Sequence, residues 1–409
     1  MRILHTSDWH LGRTLYGRRR YEEFEAFLDW MAENIEQRGV EALLIAGDVF
    51  DTTTPSNRAQ ELYYRFLCRV AASECRHVVI VAGNHDSPSF LNAPRELLRV
   101  LNVHVIGSVP EDPGEEVLTL RSLEGAPEMI VCAVPYLRDR EVRAAEAGET
   151  PDDKVRKLIE GIQQHYRAVA KQAEQQRRDL GADLPIVAMG HLFTAGGQTL
   201  EGDGVRELYV GSLAHVSARS FPESFDYLAL GHLHVPQKVN GSETMRYSGS
   251  PLPMGFGEAR QQKSLCQVDF QGTTASVSLI EIPRFQQLER VRGDWDSVAA
   301  RLNELASQDS QAWLEVHYEG TEILGDLRER LEDLLRGTRM ELLRVQNHQV
   351  LEGMLQQLQE GEELGQLSLE EVFERCLLAH EVPEEQRPEL RQTYAEVLKS
   401  LHEDDLQAE

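Results

Sequence analysis

Short, almost wholly apolar runs recur along the chain, each ending in a turn. Five stand out: Ile3-Leu4-His5-Thr6-Ser7, Ala42-Leu43-Leu44-Ile45-Ala46-Gly47, His77-Val78-Val79-Ile80-Val81-Ala82, Pro185-Ile186-Val187-Ala188-Met189-Gly190 and Tyr227-Leu228-Ala229-Leu230-Gly231. Runs this short, without polar alternation, read as strands buried on both faces, as in sheets covered by helices. Between them the period changes to 3.6. Helices are predicted over residues 21–37, with Phe24, Phe27, Leu28 and Met31 on one face, over 58–72, and over 152–178, where Val155, Leu158, Ile162, Tyr166 and Val169 mark the buried stripe. A shorter helix is expected at 92–98, with strands at 103–106 and 129–134 and a strand pair within 264–282. Strand-helix-strand repetition of this kind is an α/β fold with right-handed crossovers.

Around Pro283-Arg284 the pattern changes. Strands at 286–291, 312–318 and 340–345 alternate with helices at 295–306 and 323–335, a small α/β accessory (capping) domain. The expected division is therefore 1–282, 283–346, a polar linker over 347–367, and a helical pair over 368–409. Ser368 with Glu371 three residues on opens the first of these helices with a capping-box pattern. Leu369, Val372, Phe373 and Leu377 form its apolar stripe, and Leu390, Tyr394, Val397 and Leu398 that of the second. Such stripes dock either on the chain's own body or on a partner.

The residues just past the five runs carry the chemistry. They are Asp8-Trp9-His10, Asp48, Asn84-His85-Asp86, His191 and His232-Leu233-His234. Ligands of α/β proteins gather beyond the carboxyl ends of such strands, so these side chains are able to meet although far apart in sequence. Singly, each has a plainer reading: Gly83-Asn84 as a turn, Asp48 as a helix cap, Asp51 as a turn carboxylate or a supporting partner. Together, Asp8, His10, Asp48, Asn84, His191, His232 and His234 are seven donors, too many for one catalytic ion with open positions. Imidazoles mixed with carboxylates and an amide oxygen suit Mn²⁺, Fe²⁺ or Zn²⁺ better than Ca²⁺, and the lack of thiolates argues against a structural zinc. His165, His215 and His317 stand outside these motifs and read as structural, and the glycine-rich stretch 195–204 reads as a flexible loop.

The net charge of −26 sits awkwardly with a nucleic-acid substrate, but residues 319–409 carry 23 acidic and nine basic side chains, so the rest of the chain has room for basic patches. One candidate is Arg13, Arg18, Arg19 and Arg20 around Tyr16, either a solvated cap on the next helix or a phosphate contact; Asn57 and Arg58 are weaker candidates. Five scattered cysteines without a Cys-x-x-Cys read as reduced thiols. No apolar run reaches the length of about 18 residues that a membrane helix needs, and the first residues lack the layout of a secretory signal, so a cytoplasmic protein is expected.

Asp-x-His, Gly-Asp-x-x-Asp (Gly47 to Asp51), Gly-Asn-His-Asp (Gly83 to Asp86), Gly-His (Gly190-His191) and Gly-His-x-His (Gly231 to His234), in this order, resemble the calcineurin-like metallophosphoesterase superfamily. The finer blocks Asp8-Trp9-His10-Leu11-Gly12, Gly47-Asp48-Val49-Phe50-Asp51 and Tyr247-Ser248-Gly249-Ser250-Pro251 are similar to the SbcD family, the nuclease subunits of bacterial SbcCD recombination complexes. The resemblance implies a four-layer α-β-β-α sandwich and two divalent ions, manganese first among them, bridged by Asp48. It assigns Asp8, His10 and His234 to one ion and Asn84, His191 and His232 to the other. It makes His85 the general acid or phosphate stabiliser, and Asp86 is expected to orient His85. It further implies 3′-5′ exonuclease action on duplex ends and endonuclease action on single-stranded or hairpin DNA, in recombination, repair and replication. The partner implied is an SbcC-type ATPase whose coiled coil the C-terminal helices hold, with a homodimer and a cytoplasmic, nucleoid-associated location. The Arg-Gly that comes after Gly-Asp-x-x-Asp in protein phosphatases is replaced here by Thr52-Thr53, which disfavours a phosphoprotein substrate. The rival readings are a small-molecule or cyclic-nucleotide phosphodiesterase and a non-catalytic DNA-end adaptor.

Overall fold

A computed structural model describes residues 1–143, 148–194, 216–320, 324, 326–347, 373, 374, 377, 387 and 391. The chain divides into two units, Met1–Phe285 and Gln286–Glu409. In the first unit β1 (Arg2–Thr6) leads to a small hairpin, β2 (Thr14–Leu15) and β3 (Arg18–Arg19), then α1 (Tyr21–Arg38), β4 (Ala42–Ala46), α2 (Asn57–Ala71) and β5 (His77–Val81). Two short helices, α3 (Pro88–Asn92) and α4 (Arg95–Arg99), precede β6 (Val103–Ile106). The single helix expected at 92–98 is thus broken, because Pro94 cannot continue a helix that begins before it. Next come β7 (Val117–Arg121), β8 (Pro127–Ala133), α5 (Asp139–Val142), α6 (Pro151–Leu180), β9 (Ile186–His191), β10 (Tyr227–Gly231), β11 (Gln237–Lys238) and β12 (Met245–Tyr247). Finally β13 (Ser264–Gln271) and β14 (Thr274–Glu281) return to the first sheet.

The strands form two six-stranded sheets, ordered β14-β13-β1-β4-β5-β6 and β11-β12-β10-β9-β8-β7. Within each, four strands run parallel, β1-β4-β5-β6 and β12-β10-β9-β8. Alternation along each strand explains the layers. In β4, Leu43 and Ile45 pack with Phe24, Phe27 and Met31 of α1 and Leu62 and Phe66 of α2, while Ala42, Leu44 and Ala46 face the second sheet. There they meet Met129 and Val131 of β8, Val187 and Met189 of β9 and Ala229 of β10. The other face of the second sheet is covered by Ile162, Tyr166 and Val169 of α6. The result is the α-β-β-α sandwich. The helices start where the sequence supplies caps: the Ser56 side chain accepts from Ala59 N at the head of α2, and Thr150 and Asp153 form a capping box on α6.

In the second unit β15 (Leu288–Gly293), α7 (Trp295–Ser307), β16 (Trp313–Tyr318), α8 (Leu327–Leu335) and β17 (Glu341–Asn347) make a parallel sheet ordered β15-β16-β17. Val298, Leu302, Leu314, Val316 and Leu331 fill its core. His317 is buried on β16 and lies 3.0 Å from the buried carboxylate of Glu315. Residues 348–367, together with Leu369, Val372, Leu390, Tyr394, Val397 and Leu398, lie outside the described residues. Leu377 is only 4% exposed in the free chain, so this position of the expected partner-binding stripe is already covered. No described helix is long and apolar enough to cross a membrane.

Leu44 lies between the two sheets with no exposure. Leu44→Ala should therefore lower stability by about 3 kcal/mol, seen as a lower urea midpoint, with the folded protein otherwise intact.

Candidate metal centre

Asp8 and His10 lie just after β1, Asp48 after β4, and Asn84 and His85 after β5; from the second sheet His191 ends β9, and His232 and His234 come after β10. Both sheets bring their carboxyl ends to one place. His191 Nε2 lies 3.0 Å from Asn84 Oδ1 and 3.3 Å from Asp48 Oδ2. His232 Nδ1 lies 3.0 Å from the same Asn84 oxygen, and His10 Nε2 lies 3.1 Å from His234 Nε2 and 3.7 Å from Asp48 Oδ2. Asp8 is tied across the sheets, its carboxylate accepting from His232 N at 2.9 Å and from Ser7 Oγ at 2.5 Å. The seven expected donors thus share one pocket, buried except at Asn84 and His232, which are partly exposed, as is the neighbouring His85.

The backbone is bent to do this. Asp8, His10, Asp48 and His232 have φ of 54°, 47°, 50° and 102°, half of the eight described non-glycine residues in the left-handed region. Each such residue costs about 1–3 kcal/mol, and such strain persists where the surroundings fix it. Two glycines permit the close approach: a Cβ on Gly83 would lie 2.4 Å from Asp48 N, and one on Gly231 1.9 Å from Ala46 O.

The donors fit divalent cations. His191 Nδ1 donates to Ala46 O at 2.9 Å, so in the neutral ring the Nε2 lone pair faces the Asn84 and Asp48 oxygens, which are acceptors too. Two imidazole nitrogens likewise face each other at 3.1 Å. Donor atoms converging this closely need a proton or a cation among them. Asp8, His10 and His234, and also Asp8, Asp48 and His191, offer ligand atoms within 4.8 Å of one another. In the protein's own field, burial lowers His10, and lowers His232 to about 3, with the charge of His191 adding to it. Burial also opposes charge on His191, but the Asp48 carboxylate overrides it and raises the ring to about 9.

The sequence expectation for Asp86 fails. Its carboxylate is fully buried and accepts from Gly83 N at 2.8 Å, Phe50 N at 3.0 Å and Val49 N at 3.2 Å, so it clamps the turn backbone rather than the His85 ring. Burial, then the Asp48 charge, push Asp86 up to about 6 against those three donors. His85 is oriented instead by Asp51, whose backbone oxygen accepts from Nδ1 at 2.8 Å. The Asp51 carboxylate lies 3.4 Å from His10 Nδ1 and 3.1 Å from Arg13 Nη1. Burial raises its pKa, but His10 and then Arg13 outweigh that and bring it to about 2.

Calcineurin-like phosphoesterases are the family whose model matches residues 1–236; a model described as type 5 capsule protein repressor C-terminal domain matches residues 284–381. The SbcD subunit of the nuclease SbcCD from Escherichia coli (strain K12) is 37% identical over 404 residues, 98% of either chain. Its counterparts of the same name from Rhodobacter capsulatus and Bacillus subtilis (strain 168) are 37% and 36% identical over 283 and 272 residues, covering 67% and 66% of this chain and 68% and 66% of theirs. The chain belongs to the SbcD family of calcineurin-like phosphoesterases.

Around this SbcD-family centre the basic residues separate. Arg18 and Arg19 are exposed on the β2–β3 hairpin, beside Tyr16, which is 48% exposed and stacked on Phe256. Arg20 is not available to a phosphate: it is 2% exposed, with Nε and Nη2 on the Glu23 carboxylate and Nη1 on Pro253 O. Its neighbour helix turned it inward, which the run of three arginines gave no way to foresee. Arg58 is engaged by Glu25 and Glu61, and Asn57 is the exposed first residue of α2. The site is also supported by the backbone oxygen of Asp51, the last residue of Gly-Asp-x-x-Asp, and by residues that no motif flagged: Ser7, the backbone oxygen of Ala46, and the buried Glu258 and Lys263 behind His234.

Asp86→Asn should turn an amide N–H toward one of the three backbone donors. The expected loss is about 1–3 kcal/mol in urea unfolding, together with weaker metal binding, while the His85–Asp51 bond is untouched.

Proposed function

We propose that this chain is the nuclease subunit of a DNA end-processing complex, hydrolysing phosphodiesters with two divalent ions held by Asp8, His10, Asp48, Asn84, His191, His232 and His234. The convergence of these side chains from both sheets carries the reading. Two such ions, when bound, neutralise phosphate charge and acidify a water, the chemistry an in-line displacement needs. Asp86 fixes the turn that carries Asn84 and His85. With Nδ1 donating to Asp51 O, the His85 ring has Nε2 for the substrate, where it stabilises the phosphate or gives a proton to the leaving alkoxide. Manganese is the proposed ion, in keeping with the mixed imidazole and carboxylate set.

DNA is proposed to pass over the β2–β3 hairpin, with Arg18 and Arg19 on the backbone and Arg13 nearer the centre. Exonuclease action from 3′ to 5′ on duplex ends and cleavage of single-stranded or hairpin DNA complete the reading, with an SbcC-type ATPase held by the C-terminal helices, in the cytoplasm at the nucleoid. A homodimer is supported by Leu97 and Val100, 71% and 80% exposed on and just after α4, with Leu101 beside them.

The test is Mn²⁺-dependent degradation of linear and hairpin DNA by the pure chain, with and without its ATPase partner, beside nitrophenyl esters and cyclic nucleotides. His85→Gln should cut DNA cleavage by about 10²- to 10⁴-fold with bound Mn²⁺ unchanged. Good turnover of the small esters with none of DNA would instead identify a small-molecule phosphodiesterase, and full metal without any hydrolysis an adaptor. Arg18→Gln and Arg19→Gln should each weaken DNA binding and reduce the slope of log K against log salt by about one. Arg20→Gln should instead cost about 3–5 kcal/mol of stability by leaving Glu23 buried and uncompensated.

A further inference from the structure

Behind His234, on the side away from His10, lies a buried charged unit that the proposed mechanism does not use. Glu258 is fully buried, Lys263 is 4% exposed, and the two form an ion pair. Glu258 Oε2 also accepts from Met254 N at 3.2 Å, which fixes the carboxylate from a second side. Its other oxygen, Oε1, is buried, accepts from no donor among the described residues, and lies 3.7 Å from His234 Nδ1. Lys263 meanwhile donates to the backbone oxygen of His234 at 2.8 Å and to Ser250 Oγ at 3.0 Å. The pair therefore brackets His234, Lys263 at its backbone and Glu258 at its ring.

A buried ion pair is costly to desolvate and is weak evidence of stability by itself. An unpartnered carboxylate oxygen turned toward a ring nitrogen calls for a reason. The reason is at the opposite side of the ring, where Nε2 points to His10 at 3.1 Å. An imidazole that ligates through Nε2 must carry its proton on Nδ1, and a carboxylate facing Nδ1 is what selects that tautomer.

We infer that Glu258, held in place by Lys263 and Met254 N, is a positioning residue for the metal centre: it holds the His234 proton on Nδ1 and leaves the Nε2 lone pair for the ion shared with Asp8 and His10. The inference rests on the reading of His234 as a metal ligand. In Glu258→Gln the amide oxygen is claimed by Lys263 and Met254 N, and the amide NH₂ is left facing His234 Nδ1. Nδ1 then has to accept, and the ring proton moves to Nε2, where it blocks ligation.

The experiment is Mn²⁺ titration of the full chain, counting sites and affinities, with histidine ¹⁵N NMR of the metal-free protein to read the ring tautomers. Glu258→Gln should weaken one of two sites by about 10- to 100-fold, leave the other as in the wild type, and move one histidine to the Nε2–H form. His234→Ala is the control and should lose the same site. If His234→Ala loses it while Glu258→Gln binds both ions with wild-type affinity and an unchanged tautomer, the positioning role is wrong. If His234→Ala keeps both ions, the assignment of His234 itself falls and this inference with it. Should Glu258→Gln fail to fold, Glu258→Leu with Lys263→Met removes both buried charges together. That double variant lacks the same acceptor and must show the same single-site loss, or the inference is overturned.

Discussion

The dry contact between the two sheets is the constraint on which the site depends. Ala42, Leu44, Ala46, Val79 and Val81 on one side and Met129, Val131, Val187, Met189 and Ala229 on the other fix how far apart the strands lie and how they are offset. Because the interior is close-packed, that spacing has little freedom to drift. The loops beyond the strand ends inherit it. His191 therefore reaches Ala46 O with one nitrogen and Asp48 with the other, and Asp8 reaches the backbone of His232. The centre is a property of sheet packing before it is a property of its ligands.

Much of this is legible in the sequence because two strong patterns coincide. Apolar runs such as Ala42-Leu43-Leu44-Ile45-Ala46 announce strands with both faces covered, and metal-type residues come at once at the strand ends. Position in sequence then translates directly into position in space, since every such strand delivers its carboxyl end to the same side. What stays hidden is whatever depends on neighbours remote in sequence. Arg20 looks like its neighbours Arg18 and Arg19 until Glu23 and the Pro253 carbonyl are seen to enclose it. Asp86, next to His85 in the chain, faces the opposite way because three backbone donors converge on it. Glu258 and Lys263 belong to no motif, and their relation to His234 appears only when the loop after Gly249 folds back. Strands β7, β11 and β12 escape notice for another reason: they are edge or near-edge strands, short or mixed in polarity, and their partners define them more than their residues do.

Charge and strain are arranged on the same logic. The left-handed backbone at Asp8, His10, Asp48 and His232 is unfavourable for each residue alone, and it is kept because the clamps around it hold the loops in no other way. Asp86 on the turn amides and the Asp51 carbonyl on His85 show that the support is largely backbone, which explains why its residues are spread so thinly over the motifs. The acidity of the chain is uneven along the sequence, with 23 acidic and nine basic side chains over 319–409, and the exposed arginines of the hairpin belong to the other unit.

The strand order carries one last consequence, for synthesis. β1, which leads to Asp8 and His10, is hydrogen-bonded on one side to β4 and on the other to β13, so one of its neighbours emerges more than two hundred residues after it. A nascent chain halted before residue 264 has an open edge where β13 belongs and lacks the Glu258–Lys263 pair's neighbouring strand. Closing so long a loop is slow compared with local folding. Both edges of β1 are thus paired only once the chain has been made through Gln271.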